Sequence, residues 1–147
     1  MTSQEHDWKV EHWGTKWEAN ADYCEPATDG SNYYHSFTTA WAPPIGVLQK
    51  LSELMPNATF ILNYDETGMD FMGTAVARNG ELLDKNELVT PYREDWEQTT
   101  HPELVKKVEQ GDSDAEDELN DLWFDEGCEL VLETKQEQWE QELLTPL

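Results

Sequence analysis

The amino-acid sequence predicts an α+β fold. An antiparallel sheet with a helix packed on one face is expected over residues 1–90, followed by an acidic, mainly helical extension over 91–147 that packs on this core. Three observations carry that expectation. Residues 34–64 read as strand, proline pair, amphipathic helix and strand in succession. Asn79-Gly80 sits between two short runs of strand character and is the residue pair that tight two-residue hairpins demand. Beyond residue 90, apolar residues recur at three- and four-residue spacing among many carboxylates, the pattern of helices with one buried side.

Taken in order, residues 1–7 are polar, and Trp8 to Ala21 is expected to form one or two strands broken near Gly14. Asp22 to Asn32 is rich in turn residues and reads as a loop. Tyr34 to Trp41 is aromatic and β-branched, which suits a buried strand. Pro43-Pro44 stops it, and Pro44 can open a helix because its φ is already near the helical value. Val47, Leu48, Leu51, Leu54 and Met55 then give that helix an apolar stripe expected to be core, and Pro56-Asn57 ends it. Ala58 to Tyr64 is a strand, Asp65 to Gly68 a turn, Met69 to Arg78 a strand, and Glu81 to Val89 the return strand, expected at an edge. In the acidic half, His101 to Gln110 reads as a short helix with Pro102 in its first turn. Ser113 with Glu116 has capping-box spacing and opens a helix that Gly127 is expected to close. Cys128 to Glu133 reads as one more strand, and Thr134 with Glu137 as the start of a last helix carrying Trp139 and Leu143.

Composition narrows the function classes. The chain has 147 residues, enough for one domain with an appendage. No apolar run approaches the ~20 residues of a membrane span, and the stretch MTSQEHDWKV lacks the apolar segment of a secretory leader. Cys24 and Cys128 are expected to stay reduced, with a disulfide between them open as an alternative. An iron–sulfur centre needs about four cysteine ligands, so no such cofactor is expected within one chain. The outlier is charge: 32 Asp and Glu against 9 Lys and Arg give −23. Residues 1–80 contribute −7 and residues 81–147 contribute −16. Such a field disfavours nucleic acid and anionic membranes as direct partners and favours a basic protein surface. Acidity also serves solubility alone, and that reading stands beside it.

The segments WGTKWEA (13–19), FTTAWAPPI (37–45), LSELMPNATFILNYDETGMDF (51–71) and GTAVARNGEL (73–82) together resemble the YubB-like, ferredoxin-like-domain family of bacterial phages and plasmids. The resemblance spans about residues 8–83. It implies a ferredoxin-like topology and a mobile-element origin, and it implies no activity. Two features depart from it. Only 12 residues precede Trp13, fewer than relatives carry, and the acidic segment after residue 90 has no recognised counterpart there.

Candidate chemistry is sparse. Cys24 and His35 lack the sequence context of a nucleophile and its base. His6, Asp7, Glu11 and His12 are metal-ligand types without the spacing of a zinc site. Gly68 and Gly73 suit a turn and close packing better than a phosphate cradle. No catalytic, cofactor-binding or metal-binding residues are therefore assigned. The remaining signal is anionic: between Val108 and Thr134 there are 11 carboxylates and no Lys or Arg. Asp112, Asp114, Glu116, Asp117, Glu118, Asp121, Asp125 and Glu126, with Asp65 and Glu66 in the turn, are the expected partner-binding face. Duplex DNA presents roughly one charge per 1.7 Å of axis, and a helical ridge of carboxylates can offer a basic groove a similar field. The expectation is a non-enzymatic inhibitor acting in the cytoplasm of a bacterial host cell. Its partner would be a basic nucleic-acid-binding protein, such as a CRISPR effector or a restriction enzyme. Trp96, Trp123 and Trp139 are either its contact anchors or core. The alternative is an oligomerising interaction domain, a dimer for instance, whose acidity serves solubility.

Overall fold

The structure is a computed structural model that describes residues 2–13, 20–26, 33–40 and 42–147. The expected readings of residues 14–19, of the loop at 27–32 and of Trp41 fall outside the described residues. Two compact units are present: residues 1–60 with 77–81, and residues 61–76 with 82–147. Strand chain carries across the division at each crossing.

The first unit opens with helix α1 (Ser3–Trp13), which takes in the polar segment before Trp8 and the residues from Trp8 that were expected as strand. The cause is local. Thr2 and Glu5 form a reciprocal capping box, with Thr2 N–H donating to Glu5 Oε2 at 2.8 Å and Glu5 N–H to Thr2 Oγ1 at 3.1 Å. Two strands follow, β1 (Asn20–Pro26) and β2 (Tyr33–Thr38), paired antiparallel. The ladder steps from Ala21↔Phe37 to Tyr23↔Ser36, leaving Asp22 as the extra residue of a bulge. The segment expected as a loop from Asp22 is thus a strand to Pro26. β2 is not the buried strand expected: Tyr33, Tyr34 and His35 are exposed and only Ser36 and Phe37 are half-buried.

Helix α2 (Ile45–Leu54) starts where the proline pair predicts, with Pro44 as its cap. Its inward face differs from the expected stripe. Leu48 and Ser52 are buried, whereas Leu54 and Met55 are 68% and 54% exposed. The reason is the Asn79-Gly80 turn, whose backbone needs partners. Ser52 Oγ accepts from Gly80 N–H at 3.0 Å and donates to the Gln49 carbonyl at 2.7 Å, and Gln49 Nε2 donates to the Gly80 carbonyl at 3.1 Å. The turn is the predicted one: Asn79 and Gly80 have φ of 50° and 81°, as a type I′ hairpin requires.

The main sheet is three-stranded and antiparallel, with order β3 (Thr59–Glu66), β4 (Phe71–Arg78), β5 (Glu81–Glu87). β4 is central, and Met72 to Ala77 are buried on both faces. A 3-10 turn, Thr67–Met69, joins β3 to β4 and closes on Asp70 at φ 57°. The Asp70 carboxylate then accepts from Thr90 N–H at 2.7 Å, which fixes the start of the next helix.

That helix, α3 (Thr90–Thr100), has no counterpart in the sequence reading. α4 (Pro102–Glu109) is where it was expected, with proline in the first turn. α5 (Ser113–Leu122) is capped by Asp112 rather than Ser113. It does not stop at Gly127. A π-helical segment, Trp123–Gly127, leads directly into α6 (Cys128–Leu144), which replaces the expected strand at Cys128–Glu133. Thr134 begins nothing: its hydroxyl donates to the Leu130 carbonyl at 2.7 Å inside α6.

Packing explains the continuity. Met72, Val89, Trp96, Trp123 and Trp139 form the core of the second unit, with Val131 and Leu132 against it. Trp96 meets Trp123 edge-on at 5.7 Å. A β-carbon at Gly127 would lie 2.8 Å from both indoles, so this glycine gives the rings room instead of ending the helix. α6 also reaches the sheet, where Gln136 Nε2 donates to the Tyr64 carbonyl at 3.1 Å. The molecule is thus mixed α+β with a helical C-terminal part, as the sequence predicts.

Candidate partner-binding surface

The acidic ridge is built by α5 from its cap upward. Asp112 Oδ1 accepts from Asp114 N–H and Ala115 N–H, both at 3.1 Å. Its charge also opposes the positive end of the helix dipole. Asp112 is therefore committed to the cap. Replacing it with alanine is expected to lower stability by about 1 kcal/mol, and with asparagine by less, measured by urea unfolding. Equal losses for the two would rule out the cap.

Ala115 and Leu119 are buried and turn one side of α5 inward. At 100° per residue, Asp114, Asp117, Glu118 and Asp121 then share a sector of about 100° on the outward side. All four are exposed, and Asp125 continues the series into the π-helical segment. None of the five has an ion-pair partner among the described residues. Glu116 is exposed on the other flank of α5, and Glu126 is exposed in the π-helical segment.

Asp65 and Glu66 lie at the end of β3, not on α5. Glu66 Oε1 accepts from Gly68 N–H at 2.9 Å and caps the 3-10 turn. Partial desolvation, then the neighbouring Glu66, raises the Asp65 carboxyl above its ordinary range. Asp65 stands within electrostatic reach of Cys128: burial pushes that thiol up first, the Asp65 charge adds to it, and Arg93 opposes it.

Of the two readings of the tryptophans, contact anchors or core, core is the one that holds. Trp96, Trp123 and Trp139 are 9%, 2% and 1% exposed. Arg93 clamps two of the helices behind the ridge. Its Nε donates to Glu97 at 2.7 Å, its Nη2 to Asn120 at 3.2 Å, and its guanidinium lies 5.4 Å from the Trp123 ring. The aromatic residue the surface does offer is Phe124, 62% exposed, three residues beyond Asp121 and next to Asp125. Helix periodicity could have found it, since continuing α5 past Leu122 sends Phe124 outward beside the ridge.

The other candidates resolve plainly. The β1–β2 ladder sets Cys24 opposite His35. His12 Nδ1 bonds the Trp8 carbonyl at 2.9 Å, and its ring stacks on Trp8 at 4.4 Å. His6 pairs with Asp7 at 3.2 Å. Among the described residues no group of three or more His, Cys, Asp or Glu is placed to hold a metal ion. Cys128 is a free thiol. Among the described residues no helix is long and apolar enough to cross a membrane.

Comparison with known proteins returns one family. The ferredoxin-like domain in Api92-like protein matches residues 12–121. The match runs past residue 90, through α3 and α4 and into α5. No curated protein and no solved structure matches the chain. The match takes in both the sheet and the ridge-bearing helix, and the chain belongs to the family of the ferredoxin-like domain in Api92-like protein.

Proposed function

We propose that this chain is a non-enzymatic inhibitor, encoded by a phage or plasmid, that occupies the basic nucleic-acid-binding surface of a host defence nuclease. The target class is a CRISPR effector or a restriction enzyme, met in the cytoplasm of the bacterial host. The observation that carries the reading is the row Asp114, Asp117, Glu118 and Asp121, exposed and without cationic partners among the described residues. Like charges at that spacing destabilise a helix by a few tenths of a kcal/mol per pair, and a basic groove would relieve that repulsion. Phe124 beside the row adds a desolvated contact of the kind that dominates interface energetics. The mobile-element origin is supported by the resemblance of residues 8–83 to the YubB-like family. Encounter is steered by charge and weakened by salt.

The test is capture of a nuclease complex by the wild-type chain and by a variant carrying D114K, D117K, E118K and D121K. Wild type is expected to bind and displace target DNA. The variant is expected to lose capture while keeping its circular dichroism spectrum. Capture by a folded variant would show that the ridge is not the contact surface. Failure of the wild type to bind any such complex would favour the oligomeric reading, in which β5 as a sheet edge pairs chains. The sequence of β5, ELLDKNE, argues against that pairing, because charged side chains blunt an edge.

A further inference from the structure

Away from the ridge, a groove of about 480 Å³ is lined by Glu87, Leu88, Pro91, Tyr92, Asp95 and Lys135. α3 supplies Pro91, Tyr92 and Asp95, spaced so that they share one side of the helix. Leu88, 58% exposed, and Pro91 make an apolar wall. The Tyr92 ring is fixed by an edge contact with Trp139 at 6.3 Å, and its hydroxyl donates to Glu87. That hydrogen bond first, and burial second, push the hydroxyl up to about 12, so it stays a neutral donor. The groove already holds a cation of its own: Lys135 Nζ lies 4.7 Å from the Tyr92 ring centroid. Asp95 is exposed and has no ion-pair partner among the described residues.

We propose that this groove receives an arginine side chain presented by a partner protein, with Lys135 holding the place until it arrives. A guanidinium suits the site better than an ammonium. Its plane stacks on an aromatic face, and its fork can pair with the Asp95 carboxylate, while Leu88 and Pro91 cover its aliphatic stem. Lys135 lies on a flexible stem and can swing aside, whereas the Tyr92 ring cannot. The net charge of −23 makes a basic partner the complementary one. This site is separate from the α5 ridge and does not depend on the nuclease reading.

The test is a nuclear magnetic resonance titration of the full chain with N-acetyl-arginine amide, using the neutral citrulline amide as control. Arginine amide is expected to shift the Tyr92 ring and Leu88 methyl signals saturably at millimolar concentration, and citrulline amide is not. D95N should weaken binding several-fold. K135A should tighten it about three-fold, because the aromatic face is vacated. Unchanged Trp96, Trp123 and Trp139 signals would show that each variant keeps its core. No saturable shift, equal shifts with citrulline, or unchanged or weaker binding in K135A would each overturn the proposal.

Discussion

Replacing Trp139 with alanine is expected to lower the unfolding free energy by about 3–5 kcal/mol. The indole is 1% exposed and lies in the core of the second unit. It touches Tyr92 edge-on at 6.3 Å, and Lys85 Nζ sits 5.4 Å over its ring. Truncation removes the transfer energy of a large side chain and leaves a cavity that its neighbours, anchored on α3 and the sheet, cannot fully close. Domains of this size hold about 5–15 kcal/mol in all, so the variant should melt well below the parent and expose hydrophobic surface. Trp139→Phe, which keeps much of the ring, should lose less than half as much. Urea and thermal unfolding give both values. A loss under about 1 kcal/mol for alanine, the size of a surface change, would place this indole outside the core.

Gly73→Ala is the second large effect, expected at about 3 kcal/mol, at the upper end for one added methyl. A β-carbon there would lie 2.3 Å from both Cζ and Oη of Tyr64 and 2.7 Å from the Lys85 carbonyl oxygen. Gly73 sits on central β4 between those two strands, so both neighbours press on it. The Tyr64 ring lies where the side chain would go, and its hydroxyl donates to Asp84 Oδ1 at 2.7 Å. Burial, then that bond to a carboxylate, raises the hydroxyl above its ordinary range and keeps it a donor. Moving the ring breaks the bond, and moving the carbonyl distorts β5. In the Tyr64→Ala background the same substitution should cost less, because only the carbonyl remains in the way. A double-mutant cycle measures the difference. Additive losses would mean that ring and glycine are not coupled.

Where sequence and structure agree, the signal is chemical and local. Asn79-Gly80 makes its turn because two residues with positive φ are needed there. Pro102 opens α4 because its φ is already set, and Pro44 stands just ahead of α2 as its cap. Thr2 and Glu5 carry a legible capping box that reading Trp8 to Ala21 as a strand passed over. The errors fall where two local readings compete. Gly127 reads as a helix end, and Cys128 to Glu133 as a strand rich in apolar residues. Both are helical here, because Trp96 and Trp123 pack against the bare face of Gly127. Those rings stand far apart in sequence from the sheet residue Met72 that completes the core. The candidate site divides in the same way. Helical spacing alone puts Asp114, Asp117, Glu118 and Asp121 on one side, since period depends only on neighbours along the chain. It does not separate them from Asp112 and Glu66, which are held by backbone N–H groups.

By itself the sequence determined the charge, the hairpin, most strand and helix positions and the acidic row, because each depends on residues close along the chain. Only the tertiary structure decided which carboxylates are spent on caps, which aromatic residues are core, and that one nearly continuous helical run crosses Gly127. Burial is a property of contacts between distant segments, and no local pattern encodes which face such a segment will cover.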